Sequence, residues 1–135
     1  MGAPHRLELN ELMDEQWSIP PPDTLVGARN VDAFRACDLD VPKRTVLATS
    51  IQLHIGLVTT GRCLSILPDS LLHFSGKRFG IKALPIELAV SPRLIGIVTL
   101  RNRMINTAAR MFIQTAREVT RPLSKASVSS NSRSS

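Results

Sequence analysis

Short apolar segments alternate with segments of helical periodicity in the first half of the chain, and this order restricts the possible folds more than any other feature. Residues 45–49 and 63–67 have the length and the apolar or β-branched content of short strands, and residues 14–19, which are followed directly by three prolines, suggest another. Apolar residues at helical spacing fill the two intervening segments, 24–36 and 51–58. The order strand, helix, strand, helix, strand predicts βαβ units, a parallel sheet and an α/β fold.

Proline, glycine and capping residues mark the ends of these elements. The prolines at 20–22 stop the first strand because proline cannot donate to a ladder, and Asp23 is expected to cap the following helix. Ser50 is expected to cap the second helix, Gly61 to end it, and Pro68 to stop the third strand. Each of these elements therefore has a chemical reason to begin or end where it does.

The next part of the chain is less regular. One helical turn is predicted over residues 69–74, a strand over 79–84 and a linker over 86–92. Residues 94–100 are the most strand-like run in the protein, apolar on both faces as in the middle of a covered sheet. Residues 94–100 are therefore predicted to be a strand inside a covered sheet.

An amphipathic helix is predicted to follow, capped by Asn106 and ending before Pro122. Its apolar positions include Ala108, Phe112 and Val119. Beyond it, residues 124–135 contain seven serines and only one large apolar residue, which predicts a disordered tail.

A chain of 135 residues with 43% apolar residues can bury a core without disulfide or metal staples. The two cysteines, Cys37 and Cys63, have neither metal-site spacing nor a disulfide pattern, and both are interpreted as small core residues in a reducing compartment. No membrane-spanning run and no signal peptide are recognised, which favours a soluble, cytoplasmic protein with no membrane partner. The predicted core comprises Val31, Phe34, Val46, Leu57, Leu64 and Ile66.

Charge is distributed unevenly along the chain. Residues 1–50 carry a net charge of −3, whereas residues 51–135 carry +9. The basic half leaves direct nucleic-acid binding open as an alternative function, although the arginines are dispersed and aromatic residues are few. A solvated helix face explains the same pattern.

No pattern of catalytic or metal-binding residues is found. His5, His54 and His73 are too scattered to predict a metal site, and His54 is interpreted as a polar-face or hydrogen-bonded histidine in the middle of a helix. No nucleophile motif and no phosphate-binding glycine motif occurs. We therefore expect neither an enzyme nor a cofactor.

Two predicted helix starts, at 23–24 and 49–50, each come soon after a strand. Free amides and the helix dipole at such places attract small anions such as carboxylates. In an open α/β sheet, ligands bind at the carboxyl ends of the strands. Thr24, Thr49 and Ser50 are therefore candidate ligand-binding residues, while helix capping alone also accounts for them.

Three segments, in this order, resemble the effector-binding region of LysR-type transcriptional regulators. Residues 7–22, LELNELMDEQWSIPPP, resemble the entry into the second regulatory lobe of that family. Residues 56–68, GLVTTGRCLSILP, resemble its stretch of helix, glycine, strand and proline. Residues 95–103, with the helix to Pro122, resemble its final strand and helix. The resemblance covers about residues 7–125.

The resemblance implies a fold similar to type 2 periplasmic binding proteins, in which two α/β lobes hold a small effector between them. Residues 1–85 would form the second regulatory lobe, and residues 86–123 would supply the returning strand and helix of the first. The implied function is the sensing of a small, anionic effector to control transcription, with Thr24, Thr49 and Ser50 facing the cleft.

Three departures from the family pattern are apparent. No winged helix-turn-helix precedes Leu7, so the chain is expected to lack its own DNA reader. Cys63 stands where the family often has glycine, and residues 106–107, Asn-Thr, replace a Ser-Pro helix start. With first-lobe elements missing, the apolar strand and helix are expected to be covered by a second copy or by an intact regulator. A periplasmic-type small-molecule binding protein is the alternative within the same fold.

Overall fold

The computed structural model describes residues 6–91 and 95–131, including the side chains of those up to residue 123. The chain divides into two compact units, unit 1 (residues 1–90) and unit 2 (residues 91–135). Unit 1 contains the sheet and three α-helices, and unit 2 contains one long helix.

A small parallel sheet organises unit 1. Strand β1 (Trp17–Ile19) pairs in parallel with β2 (Thr45–Leu47), and Trp17 lies opposite Thr45. On the other side of β1, the Ser18 amide donates to the Leu64 carbonyl over 2.8 Å. The middle strand is therefore β1, and all three of its residues are buried.

The strand predicted over residues 63–67 is reduced to one parallel bridge between Leu64 and Trp17. Continuing this ladder would require an N–H on Pro20, opposite the carbonyl of Ile66, and proline has none. The carbonyl of Ser18 instead accepts a hydrogen bond from the Ser65 hydroxyl, at 2.6 Å. The prolines that stop β1 therefore also stop its neighbour.

Helix α1 (Leu25–Arg35) connects β1 to β2, and α2 (Ile51–Thr59) follows β2, so the predicted βαβ order is confirmed. Thr24 caps α1, and the prediction of Asp23 is wrong because a turn closed by the Thr24 amide and the Pro21 carbonyl precedes the helix. Ser50 caps α2, and Gly61 follows its end with a φ of 73°, both as predicted.

Gly27 allows α1 to lie directly against the proline segment. A Cβ at this position would overlap the Pro21 carbonyl and would lie 2.8 Å from the Pro20 carbonyl oxygen. Real Cβ atoms essentially never approach other atoms this closely. Only glycine therefore permits this contact between the helix and residues 20–21.

The core of unit 1 forms around the first strand. Trp17 and Phe34 meet edge to face with ring centroids 5.2 Å apart. The buried cluster consists of Leu9, Trp17, Ile19 and Phe34. Leu9 belongs to a 3₁₀ helix (Leu9–Leu12), in which Glu8 and Glu11 form a capping box.

The predicted core is only partly correct. Phe34 is buried, and Leu64 and Ile66 pack against the buried cluster while remaining partly accessible. Val31 and Leu57 are half-buried. Val46 is 39% exposed because β2 is the edge strand and α2 packs against β1. Val46 lies in a strand, as predicted, but its side chain is outside the core.

The two cysteines differ in environment. Cys63 is buried, as predicted, whereas Cys37 is exposed. Cys37 follows the last residues of α1 and precedes Asp38, whose φ of 57° turns the chain away from the helix. The interpretation of Cys37 as a core residue is therefore wrong.

Helix α3 (Asp69–Phe79) is longer than the single turn predicted over residues 69–74. It ends at Gly80, which has a φ of 65°, so the strand predicted over 79–84 is wrong. The helix continues through Gly76, which is buried; a Cβ there would lie 3.5 Å from the Leu72 side chain, an ordinary contact distance.

The segment predicted as a linker, 86–92, takes part in the fold of unit 1. Ile86 and Leu88 are half-buried and pack against the core cluster. Two hydrogen bonds join residues two positions apart, as in γ-turns. They run from the Ile86 amide to the Leu84 carbonyl and from the Val90 amide to the Leu88 carbonyl. Residue 92 lies outside the described residues.

In unit 2, the described part of the predicted strand 94–100 is not a strand. Residues 95–100 pair with no segment in the described part of the chain, and Ile95 and Val98 are 98% and 95% exposed. β-structure needs a partner strand, which an apolar sequence alone does not provide. Leu94 lies outside the described residues.

Helix α4 (Thr107–Asn131) begins as predicted, because the Asn106 side-chain oxygen accepts from the Ala109 amide at 2.8 Å. Its end differs from the prediction, since the helix passes through Pro122. The backbone of residues 124–131 is helical where a disordered tail was predicted, and residues 132–135 lie outside the described residues.

Candidate functional site

The two parallel strands of unit 1 are each followed by a capped helix. Thr24 lies at the start of α1, after β1, and Ser50 lies at the start of α2, after β2. Parallel strands end at the same edge of a sheet, so both helix N-termini belong to the carboxyl edge, where α/β folds bind ligands. We call this region the carboxyl edge; it comprises Thr24, Thr49, Ser50 and the first turns of α1 and α2.

The hydroxyl of Thr24 is used within the protein. It accepts from the Gly27 amide at 3.0 Å and donates to the Pro21 carbonyl at 2.7 Å. The side chain is half-buried, and the acidic residue Asp23 is exposed next to it. Capping thus accounts for Thr24, and the carboxylate of Asp23 makes this helix start less favourable for an anion.

Thr49 and Ser50 are more accessible. Both are exposed, and no acidic residue lies in the first turn of α2. The Ser50 hydroxyl accepts from the Leu53 amide over a long 3.4 Å and donates to the exposed Gln52 side chain at 2.9 Å. Because the first amides of a helix have no intrahelical acceptor, this turn can offer donors to an anion.

A buried polar bridge lies beneath this turn, and the sequence did not reveal it. Ser18 and His54 are 0% and 2% exposed, and Ser18 Oγ lies 2.6 Å from His54 Nδ1. The other ring nitrogen, Nε2, lies 2.9 Å from the Ala48 carbonyl oxygen. His54 is therefore a hydrogen-bonded histidine on a helix, as predicted. Its partner Ser18, in β1, lies 36 positions earlier in the chain, whereas its partner Ala48, just after β2, lies six positions earlier.

The Ser18–His54 pair has the residue types of a nucleophile and a base, but it lacks access for a substrate. Both side chains are buried, and the imidazole is held between a hydroxyl and a backbone carbonyl. A serine nucleophile must reach the substrate carbonyl carbon. The pair therefore joins structural elements in this protein.

Burial raises the pKa of the Cys63 thiol above its usual range, because desolvation disfavours the thiolate. The Cys63 sulfur lies 3.7 Å from the Leu64 carbonyl oxygen. Since the thiolate is the reactive form, this cysteine has the environment of an inert core residue.

Two cavities are lined by residues outside the carboxyl edge. The larger, of about 560 Å³, lies in unit 2 and is called the arginine groove; Arg110, Arg117, Ile97 and Ile113 are among its lining residues. The smaller, of about 320 Å³, lies in unit 1 beside Leu9. None of the predicted site residues lines either cavity.

Among the described residues, no group of His, Cys, Asp and Glu side chains is arranged to hold a metal ion. Likewise, the described helices include none with the length and apolar character needed to cross a membrane.

Comparison with known proteins identifies the family. No curated protein and no solved structure matches the chain. The family model for the LysR substrate binding domain, however, matches residues 2–121 of the 135 residues. This family occurs in transcriptional regulators and has a periplasmic-binding-protein-like α/β fold. The match extends over both units, and the βαβ order of unit 1 agrees with an α/β fold. The chain therefore belongs to the LysR substrate-binding domain family.

Proposed function

We propose that this chain senses a small carboxylate for a LysR-type transcriptional regulator and that the carboxylate binds at the carboxyl edge. The observation that carries the proposal is the placement of two capped helix starts at one edge of a parallel strand pair, in a family of effector-binding domains. Thr24, Thr49 and Ser50 are the residues assigned to this site.

The start of α2 supplies most of the binding in this proposal. The backbone amides of Ile51 and Gln52 have no acceptor within the helix, and the Ser50 hydroxyl can turn from the exposed Gln52 side chain to a ligand oxygen. Hydrogen bonds to a charged ligand are stronger than neutral ones, at about 1.5–3 kcal/mol each. The hydroxyl of Thr24 shapes the neighbouring turn, because its own hydrogen bonds are internal.

The same proposal assigns the parts of the chain. Residues 1–85 form the second regulatory lobe, and residues 86–123 supply the returning segment and helix of the first; residues 95–100, which are not a strand in this structure, become the returning strand when another strand pairs with them. The division between the two units at residues 90–91 supports a boundary in this region. DNA is contacted through a winged helix-turn-helix outside this sequence. The effector is bound in the cytoplasm. The sensing chain acts as a homo-oligomer or in association with an intact regulator of the same family.

Binding can be tested by NMR with isotope-labelled full chain, titrated with acetate, succinate and the uncharged analogue succinamide. The carboxylates are expected to shift the amide signals of Ser50, Ile51 and Gln52, whereas succinamide is not, because it lacks the negative charge that the helix start attracts. If neither carboxylate shifts these signals at millimolar concentration, the proposed site is wrong.

A double substitution tests the assigned side chains. Replacing Thr49 and Ser50 by alanine is expected to weaken succinate binding about tenfold or more. Loss of the Ser50 cap itself costs about 0.5–2 kcal/mol of folding free energy, so urea unfolding is measured in parallel. Thr59→Ala, at the other end of α2, removes an exposed hydroxyl and is the control. Equal affinity in a folded double variant would remove these residues from the site.

The charge of unit 2 favours nucleic-acid binding as a second candidate function. Residues 91–135 contain eight basic residues and one acidic residue. Arg110 and Arg117 line the arginine groove, together with the apolar side chains of Ile97 and Ile113. Phosphate contacts by such arginines supply sequence-independent affinity for DNA.

The dependence of DNA affinity on salt concentration tests this second function. Each neutralised phosphate contributes about −0.9 to the slope of log affinity against log salt concentration for duplex DNA. Replacing Arg110 and Arg117 by glutamine is expected to make that slope shallower by about 1.8, while Arg35→Gln in unit 1 leaves it unchanged. If the unsubstituted chain, the double variant and Arg35→Gln all gave the same slope, the arginine groove would be excluded as the DNA-binding surface.

A further inference from the structure

We propose that His54 is a positioning residue of the carboxylate site: its imidazole fixes the turn that carries Thr49 and Ser50 against the sheet, without touching the ligand. This inference rests on the proposed function and adds to it the residue that sets the geometry of the binding turn. Its basis is the buried polar bridge between β1, the end of β2 and α2.

Both backbone polar groups of Ala48, the residue just before the turn, are hydrogen-bonded. The Ala48 amide donates to the Ile19 carbonyl at 3.1 Å, and the Ala48 carbonyl lies 2.9 Å from His54 Nε2. The His54 amide in turn donates to the Ser50 carbonyl at 3.2 Å. Thr49 therefore lies between two residues whose backbone carbonyls both bond to His54.

The hydrogen bonds determine which ring nitrogen carries the proton in the neutral imidazole. A carbonyl can only accept, so Nε2 carries the hydrogen that is donated to Ala48. Nδ1 then accepts from the Ser18 hydroxyl at 2.6 Å. Every polar atom of the buried ring is satisfied, and the two nitrogens bind α2 to different parts of unit 1, Nδ1 to the middle strand and Nε2 to the turn.

Ser18 is well suited to anchor the bridge. It is fully buried in the middle strand, its amide donates to the Leu64 carbonyl at 2.8 Å, and its carbonyl accepts from the Ser65 hydroxyl at 2.6 Å. The backbone of Ser18 is thus held in place independently of the hydrogen bond between its hydroxyl and His54. The hydrogen bond from Ser18 in the sheet consequently fixes the position of the imidazole. The hydrogen bond from Nε2 to the Ala48 carbonyl then fixes the turn relative to the imidazole.

Two conservative substitutions separate a positioning role from a stabilising one. In His54→Gln, the side-chain amide nitrogen can occupy the place of Nε2 and donate to Ala48, while the bond to Ser18 is lost. In His54→Asn, the side-chain oxygen can occupy the place of Nδ1 and accept from Ser18, while the bond to Ala48 is lost. Each variant keeps one of the two hydrogen bonds, so similar losses of folding stability are expected.

The binding of succinate is expected to distinguish them. Because only His54→Asn releases the turn, it should bind succinate about tenfold more weakly than His54→Gln, and His54→Gln should stay close to the unsubstituted chain. Urea unfolding of both variants shows whether their stabilities match. Equal succinate affinities in two folded variants would overturn the positioning role and leave the carboxylate site standing.

Hydrogen exchange tests the bridge without a ligand, so that failure of the proposed function is recognised separately. In the ligand-free chain, the amides of Leu53 and Ile55 should exchange about tenfold faster in His54→Asn than in His54→Gln, with the amide of Ala33 in α1 as the reference within each sample. Equal exchange rates would contradict the proposal whether or not succinate binds. Faster exchange with no succinate binding to the unsubstituted chain would retain the bridge and reject the site.

Discussion

At Gly27 a single hydrogen atom is all that fits between α1 and the proline segment. Replacement by alanine is expected to destabilise unit 1 by about 2–3 kcal/mol, since the added Cβ meets backbone atoms of Pro20 and Pro21 that cannot rotate away. Urea unfolding at equilibrium measures this change as a loss of folding free energy.

Gly56 in α2 is the matched control for Gly27. A Cβ at Gly56 would have no atom within 4 Å, and the residue is exposed. Gly56→Ala is therefore expected to stabilise the protein, by up to about 1 kcal/mol, because alanine has the higher helix propensity. If both alanine variants shifted stability in the same direction, the contact at residues 20–21 would not be the cause.

The cysteines should differ sharply in thiol chemistry. Cys37 is exposed, whereas Cys63 is buried and its pKa is raised by burial, so little of it is thiolate near neutral pH. With a thiol reagent at pH 8, we expect one fast and one slow reaction in the native chain. Cys37→Ser should abolish the fast phase and leave the slow one, and a fast phase that survived this substitution would contradict the assignment.

Among the helices, α4 is expected to gain order when Pro122 is replaced. Proline removes one N–H from the helix and its ring crowds the carbonyl four residues earlier, at Glu118, with a typical cost of about 3 kcal/mol. Pro122→Ala should therefore increase the helical circular dichroism signal at 222 nm. An unchanged or smaller signal would show that Pro122 does not limit the order of α4.

The elements that the sequence predicted correctly are those set by neighbours along the chain. Ser50, Asn106 and Gly61 act at helix ends through bonds to residues only a few positions away, so their roles are visible in a short window. Strand β1 is equally local, because the prolines after it determine where it ends. The βαβ order and the cap of α2 follow from these same signals, whereas the cap of α1 was predicted one residue too early, at Asp23 instead of Thr24.

The elements predicted wrongly are those that depend on distant partners. The run at 95–100 has strand-like composition, but it forms a strand only if another strand lies beside it, and no described segment does. For the same reason the partner of His54 was invisible: Ser18 lies 36 positions earlier in the chain.

The protein as a whole exposes an unusual amount of apolar surface in unit 2. Ile95 and Val98 are almost fully exposed, and Phe112 of α4 is 68% exposed. Burial of a few hundred Å² of such surface contributes several kcal/mol at about 25 cal/mol per Å², which is comparable to the stability of a small domain. We therefore expect the chain to self-associate at micromolar concentration, as measured by analytical ultracentrifugation.

Two double substitutions locate the associating surface. Ile95→Lys with Val98→Lys is expected to lower the association, because charged side chains resist burial. Leu84→Lys with Val90→Lys changes two less exposed apolar residues of unit 1, at 44% and 38%, and should leave it unchanged. A strictly monomeric unsubstituted chain would show that unit 2 does not need a covering partner.

The packing of Trp17 determines what optical measurements of this protein will report. It is the only tryptophan, there is no tyrosine, and its indole N–H donates to the Leu12 carbonyl at 2.9 Å. Tryptophan emission is thus a probe of unit 1 alone, whereas circular dichroism also detects the 25 helical residues of α4. Melting curves recorded by the two methods on one sample follow different parts of the chain, and any gap between their midpoints measures how independently unit 2 unfolds.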